Sequence, residues 1–485
     1  MNAKKTYLHI LTAVILGALL MFLLPVGNGL TADGVHMLGI LIPVIYLWIT
    51  VGTDWVSLAA IIALVMTGVM NNGKNYYADV YAGSMGNFII ITVISCMALS
   101  AVLTQTGVIE KIATWFITRK FVQGRPYAFL FMFLLSNLIV GTFMEATAVA
   151  IMYIDLAKNI LDKLGYKKGD KFYTVVMAGL YWNNSIVSAG SPISHVLPLL
   201  LIAAAGPVLG VTISFGQWLM IGIPFEIMAF AIEMFVFRFI WKPDTTLFEN
   251  YDLEATRRNA RPLSTQGKIS VVIFLIVVFF WLFPQFGKSI APGLVAYLNK
   301  VGACVPPVLG LTAIFIIHVD GKPIARFADT VKNIPMGMLV FTACVTVLGS
   351  AINMDSTGIS AWLSNLLTPA LSGLPTFAVM VLVVFLAALI TQFMSDTVTI
   401  YLMYAVGTAI LSTSGINLPA FVMIIGFAAI MGLLTPAAAV PSPLFFGPEH
   451  ITMKNEAKYC AIFLVLDFLI IMFVLWPLAN VLIKF

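Results

Sequence analysis

Two carboxylates, Glu145 and Asp396, stand near the middle of long apolar stretches, PYAFLFMFLLSNLIVGTFMEATAVAIMYI and FAVMVLVVFLAALITQFMSDTVTIYLMYAV. An Asp at the centre of a membrane helix costs about 2.5–3.5 kcal/mol even on insertion scales. Such a group persists where a cation, a proton or a hydrogen-bonding partner offsets that cost. The local words repeat: FMEAT at 143–147 and FMSDT at 393–397 share Phe, Met and Thr at an offset of 250. One acid-bearing word in each half points to a duplicated site. Its chemistry would be binding of Na⁺, of H⁺, or of both.

The elements that must position these acids are membrane helices. Mean hydropathy is +1.01, and charged residues make up only 10% of the chain, against roughly a quarter in soluble domains. A soluble chain of 485 residues could not hide that much apolar surface. The net charge of +5 therefore bears on topology and not on nucleic acid. Cys96, Cys304, Cys344 and Cys460 lie in apolar segments without CxxC spacing and read as core residues. The first apolar run, 6–25, resembles a signal peptide but reads as an uncleaved first span.

Apolar runs of spanning length fall near 6–25, 35–52, 54–71, 87–117, 172–210, 215–241, 268–284, 303–318, 335–366, 419–447 and 457–484. Two further runs, 126–163 and 375–412, carry the acids at their midpoints and read as hairpins that enter and leave by one face. With the N-terminus inside, the segments left in the cytoplasm hold 21 of the 26 Lys and Arg, the asymmetry that sets membrane orientation. This arrangement puts the C-terminus outside. The first hairpin is flanked by RKFVQGR and KNILDKLGYKKGDK, and the second by TPALSGLP and STSGIN, which carry no basic residue. The two hairpins thus enter from opposite faces, as in an inverted-topology repeat. The division expected is scaffold helices at 1–85, a first repeat at 86–241, a cytoplasmic linker at 242–268 and a second repeat at 269–485. TG at 106–107 and at 357–358 precedes each hairpin, and a Gly/Pro-interrupted span follows each: SIVSAGSPISHVLP at 185–198 and GLLTPAAAVPSPLFFG at 432–447. No Walker motif or Rossmann fingerprint occurs, which argues against an ATP-driven pump in this chain.

Irregular backbone at membrane depth is tolerated where it is buried in protein or lines a wet cavity. Helix N-termini there suit a carboxylate, and freed backbone carbonyls suit Na⁺. At this point the chain resembles the divalent anion/sodium symporters, a family of di- and tricarboxylate transporters. The likeness lies in WITVGTDWVSLAAIIALVMTGV at 48–69, YAGSMGNFIIITVISCMALSAVLTQTGVIEKIA at 81–113, the two tips, and the breaks Gly190-Ser191-Pro192 and Pro436 to Pro441. The resemblance implies an all-α polytopic membrane protein of about 11 transmembrane helices plus two re-entrant hairpins. It also implies a homodimer and an elevator-like mechanism. Sodium and substrate roles carry over at the matching positions: Thr147, Ser395 and Thr397 at the tips, and Gly190, Ser191, Pro192, Pro436 and Pro441 at the breaks. The family's tip asparagines are replaced by Ala146 and Asp396, and Glu145 stands for a serine.

The expected cation ligands are Glu145, Ala146, Gly190, Asp396, Thr435 and Pro436, with Na⁺ as the coupling ion and H⁺ as the alternative. The expected substrate contacts are Thr147, Ser191, Ser194, His195, Ser395, Thr397 and Ser442. For Glu145 the bland reading is a structural acid bonded to the hairpin backbone; for His195 it is a satisfied polar contact at a helix end. Asn183 and Asn184 read at least as readily as polar helix contacts as ligands. Glu110, Asp155, Glu226, Glu233, Asp355 and Asp467, in or near spans, read mainly as caps or pairs near the interfaces, with a coupling role as the alternative for each. The function expected is secondary transport of a small organic anion across the cytoplasmic membrane. A Na⁺/H⁺ antiporter and a carboxylate exchanger without cation coupling stand as alternatives. No HExxH or GxSxG motif supports an enzyme.

Overall fold

The computed structural model describes residues 3–70, 76–209, 213–250, 262–332, 334, 336–352, 354–359, 361–363, 365–366, 373–411, 414–439 and 441–483. The middle of the expected linker (251–261) and parts of both flanks of the second hairpin (367–372 and 412–413) lie outside the described residues. Among the described residues the regular structure is helical apart from a two-stranded hairpin, β1 (His318–Val319) with β2 (Lys322–Pro323), and an isolated bridge between Gly27 and Leu30.

In the first half α1 (Ala3–Leu23), α2 (Ala32–Thr50), α3 (Asp54–Thr67) and α4 (Tyr76–Gly83) precede α5 (Phe88–Gln105) and α6 (Val108–Ile117). Next come α7 (Pro126–Phe143), α8 (Ala146–Leu164), α9 (Lys171–Gly190), α10 (Val196–Leu209) and α11 (Phe215–Phe235), the last prolonged by a π-helical turn to Trp241. The second half holds α12 (Thr265–Phe286), α13 (Pro292–Val301), α14 (Val305–Ile316), α15 (Phe327–Val331) and α16 (Met336–Ile352). It closes with α17 (Thr376–Ile390), α18 (Asp396–Leu411), α19 (Leu418–Ile430), the short α20 (Ser442–Phe446), α21 (Met453–Ile470) and α22 (Trp476–Leu482).

Caps set many of these boundaries. Thr31, Asn87, Ser264 and Asn417 each accept a backbone N–H from the first turn of α2, α5, α12 and α19. Ser214 and Gln217 form a reciprocal capping box at α11. Each cap satisfies a donor that the helix cannot satisfy itself, and inside a bilayer water cannot do so either.

Among the described residues seven helices are long and apolar enough to cross a membrane, or eight if the pair α13 and α14, bent by 86°, is one span. That is fewer than the 11 expected, and the reason is breakage. Five shorter apolar helices, α3, α16, α17, α18 and α19, are each too short to cross alone. The run 87–117, expected as one span, divides into α5 and α6 at Thr106-Gly107, where Gly107 takes φ 73°. The run 335–366 divides at the other TG, where Gly358 takes φ 64°. The run 303–318 is preceded by a helix, α13, that was not anticipated. In the two acid-bearing runs α7 packs on α8 and α17 on α18.

The core runs along the helices that lead to the two breaks. Every residue of α9 from Phe172 to Gly190 is buried, as is every residue of α19 from Pro419 to Ile430, and the two helices touch. By contrast α1 buries only Ala13 and Gly17, leaving an apolar surface suited to lipid or to another subunit. The first residues of the expected linker are docked, not free. Phe248 is buried and meets Phe129 of α7 and Phe172 of α9.

Candidate ion and substrate site

Each acid is placed by the helix that follows its tip. Glu145 is the N-cap of α8, its carboxylate accepting from Thr147 N (3.1 Å) and Ala148 N (2.7 Å). Its own N–H donates to Ser100 Oγ on α5 at 3.1 Å. At the second tip Asp396 Oδ1 accepts from Thr397 N (2.7 Å) and Thr397 Oγ1 (3.1 Å), while Ser395 Oγ lies 3.4 Å from it. Both carboxylates therefore engage free N–H groups at a helix N-terminus, where the helix dipole favours negative charge. For Glu145 this is the structural contact that the bland reading described, and it also leaves the acid at a cavity wall.

Each tip is tied to the break that follows it. Ala146 N donates to Ser194 O at 3.0 Å, and Asp396 N donates to Ala438 O at 2.8 Å. Asn184 Nδ2 adds a bond to Ala146 O at 2.7 Å, and Asn183 Nδ2 donates to Leu134 O at 2.9 Å. These two asparagines thus serve as polar helix contacts. In the second half Gln392 does more: its Nε2 donates to Met431 O, and its Oε1 accepts from Leu433 N and Leu434 N. Thr435 Oγ1 donates to Gln392 O at 2.7 Å. Gln392 was not singled out in the sequence, although an amide just ahead of a tip is the kind of residue that can hold unwound backbone.

The two tips line one cavity of about 710 Å³. Its walls include Glu145 and Thr147 from the first tip, Ser395 and Thr397 from the second, and His195 from the first break. Ser100, Thr104 and Gln105 contribute from α5, Thr53 and Asp54 from the start of α3, and Thr330 from α15. Among the described residues no Lys or Arg lines it. Asp54 was also missed in the sequence, where it lies inside WITVGTDW without a repeated counterpart.

The remaining expected residues take other places. Ser194 borders a small side pocket with Glu145 and His195, and its Oγ has no hydrogen-bond partner. His195 Nδ1 accepts from Leu197 N at 3.3 Å, a helix-end contact, while the ring still reaches the cavity. Ser191 Oγ accepts from Ile193 N and turns the chain at the break. Ser442 Oγ pairs with Tyr181 OH at 2.7 Å and accepts from Ala439 N. Gly190 packs against Glu226 and Gly222, where an added Cβ would collide with the Glu226 carboxylate. Pro436 is exposed and, like Asp396, Ser191 and Ser442, is not among the residues that line the main cavity.

The acids expected as interfacial caps divide into two groups. Asp155 fits, pairing with Lys158 at 4.0 Å on the surface. Glu226, Glu233 and Asp467 do not, because all are buried inside the helical bundle. Glu456, which lies between the apolar runs 419–447 and 457–484, is likewise buried and accepts from Trp182 Nε1 at 2.8 Å.

Comparison with known proteins decides the family. A model described as the sodium:sulfate symporter transmembrane region matches residues 2–483. The chain belongs to that family. The sodium-dependent dicarboxylate transporter SdcS of Staphylococcus saprophyticus is 24% identical over 476 residues, covering 92% of this chain and 87% of that protein. An uncharacterized transporter of Haemophilus influenzae is 24% identical over 336 residues, 68% of each chain. The L-tartrate/succinate antiporter of Escherichia coli K12 is 25% identical over 285 residues, 57% of this chain and 55% of that protein. Among solved structures the YdaH transporter of Alcanivorax borkumensis superposes with a TM-score of 0.56 at 16% identity, covering 85% of this chain and 88% of that one. This likeness speaks to fold alone. The protein is a multi-pass membrane transporter and not an enzyme.

Proposed function

We propose that the protein moves a small dicarboxylate across the cytoplasmic membrane, coupled to Na⁺, with the 710 Å³ cavity as the transport site. The observation that carries this reading is that both tips line one cavity that, among the described residues, has carboxylates and hydroxyls but no basic side chain on its walls. The titratable groups on its walls are Asp54, Glu145 and His195. A dianion entering there meets carboxylates, and two like charges at 4 Å repel by about 4 kcal/mol at an effective dielectric of 20. A cation at the tips reverses that sign. Cation binding therefore precedes dicarboxylate binding.

The residues divide accordingly. Glu145 and Asp396 supply carboxylate oxygens to Na⁺, helped by backbone carbonyls near Ala146 and by Thr435 and Pro436 at the second break. Thr147, Ser395, Thr397 and His195 supply hydrogen bonds to the dicarboxylate, with Ser194 from the side pocket. Gly190, Ser191 and Ser442 shape the breaks. The twin tip-to-break bonds, Ala146 to Ser194 and Asp396 to Ala438, support a reading in which each tip and its break move together, in two inverted repeats, in an elevator-like step. The N-terminus lies in the cytoplasm, with the linker at 242–268.

The test is uptake of radiolabelled succinate into proteoliposomes. An inward Na⁺ gradient should drive accumulation several-fold above that with no gradient. Equal uptake with K⁺ replacing Na⁺ would overturn the coupling. The acid-rich cavity wall favours a second reading, Na⁺/H⁺ exchange. That reading requires Na⁺ influx to move protons with no organic solute present.

A further inference from the structure

Away from the tips, three acids lie along the buried seam between α11 and α21. Glu233 of α11 is fully buried, and neither of its carboxylate oxygens has a hydrogen-bond partner. Asp467 of α21 is 1% exposed with Oδ1 unpartnered, and Glu456, on the first turn of the same helix, is fully buried with Oε1 unpartnered. Helices α11 and α21 pack together, and Cys460, one turn beyond Glu456, lies within electrostatic reach of all three acids. On the α9 side Gly179 opens the space for Glu233: an added Cβ would stand 3.0 Å from Oε1. One turn further along that helix the buried Asn183 has its Oδ1 unpartnered as well.

No positive charge answers these acids among the described residues. The basic groups on the surrounding elements, Lys171, Arg238, Lys268, Lys454 and Lys458, are exposed; Arg238 stacks on Tyr127 and Lys458 on Tyr459. On α9, Tyr173 is bonded to His450 and Tyr181 to Ser442. Glu226, two turns before Glu233, is engaged by Thr142. Three buried carboxylates left ionised would each cost several kcal/mol. Their oxygens do not converge as a metal site would require among the described residues, so the neutralising species is the proton.

We propose that Glu233, Glu456 and Asp467 each bind a proton along this seam and load and unload H⁺ during the transport cycle, so that H⁺ joins Na⁺ as a coupling ion. Helix α9 ties this seam to the second tip: Trp182 donates to Glu456, and the adjacent Tyr181 bonds Ser442. Ser442 accepts from Ala439 N, next to the Ala438 carbonyl that holds the Asp396 N–H. Only the flux part of the test rests on the carboxylate reading.

The test uses the purified full-length protein and the neutral isosteres Glu233→Gln, Glu456→Gln and Asp467→Asn. Infrared spectra at neutral pH should show a carboxylic-acid C=O band that weakens in each variant and on alkaline titration. An unchanged band in all three would overturn proton binding, whether or not succinate is a substrate. In proteoliposomes at equal Na⁺, an inward proton gradient should drive [¹⁴C]succinate uptake by the wild type. Glu233→Gln and Asp467→Asn should lose that drive about tenfold while keeping succinate counterflow within about twofold. Variants that keep the drive would make the acids structural and overturn the proposal. A wild type that moves no succinate would fault the carboxylate reading, and the infrared result alone would then judge the proton site. Asp467→Asn serves should Glu233→Gln fail to fold.

Discussion

The backbone N–H of Asp396 donates to the carbonyl of Ala438 at 2.8 Å, so the second hairpin tip is bonded to the unwound segment 42 residues further along the chain. The side chain of the same residue holds Thr397 through Oδ1. An amide oxygen can replace that acceptor, whereas a methyl group cannot. Asp396→Asn should therefore keep part of the Na⁺-dependent stabilisation by succinate in a thermal-shift titration, and Asp396→Ala should abolish it. Equal behaviour of the two variants would exclude a ligand role for this side chain.

Glu145 closes α8 with both carboxylate oxygens. Loss of such a cap costs about 0.5–2 kcal/mol. Glu145→Ala should lower the unfolding midpoint even without Na⁺, and Glu145→Gln should lower it less. If Glu145 also binds Na⁺, both variants should shift the Na⁺ dependence of succinate uptake to higher concentration. Thermal unfolding and a Na⁺ titration of uptake separate the capping role from the ligand role.

The two TG breaks make a controlled comparison. Gly107 and Gly358 both take left-handed φ, and an L-residue there costs roughly 1–2 kcal/mol. An added Cβ at Gly107 meets nothing within 4 Å, whereas at Gly358 it would run into the carbonyl of Gly29. Gly107→Ala should thus fold with a modest loss of stability. Gly358→Ala should be several-fold lower in monodisperse yield, because the start of α2 must move. Size-exclusion profiles of the two purified variants check this.

Much of this arrangement was legible in the chain. The repeated FMEAT and FMSDT words located both tips, and the matched Gly/Pro clusters located both breaks, because each is a local interruption of an apolar run. The number of full spans was not legible. Hydropathy reads 87–117 as one apolar stretch, and only the backbone angle at Gly107 divides it. The buried acids Glu233, Glu456 and Asp467 escaped for a different reason. A carboxylate in or beside an apolar run looks like a cap or a pair near the interface until the packing of α11 against α21 encloses it. Asp54 and Gln392 act through tertiary neighbours and carry no periodic signal.

Outside the spans, His450 is bonded to Tyr173 OH at 2.7 Å. Burial first, and then Lys168 and Lys158, hold its imidazole below the ordinary histidine range. The unfolded chain then binds more protons than the folded one once pH falls below about 6.5. Stability present above that value should be lost progressively toward the lower folded-state pKa. The unfolding midpoint in detergent should fall between neutral and mildly acidic pH, and His450→Gln should flatten that slope.

The central claim is that both tips face one shared chamber, and paired cysteine labelling tests it most directly. Single variants Thr147→Cys and Ser395→Cys, in a background with the partly exposed Cys304 replaced, would be treated with a membrane-impermeant thiol reagent in oriented vesicles. The expected result is that both positions react from the same face in a given state, and that Na⁺ with succinate protects both together. Labelling of the two positions from opposite faces at once, or protection of one without the other, would contradict it.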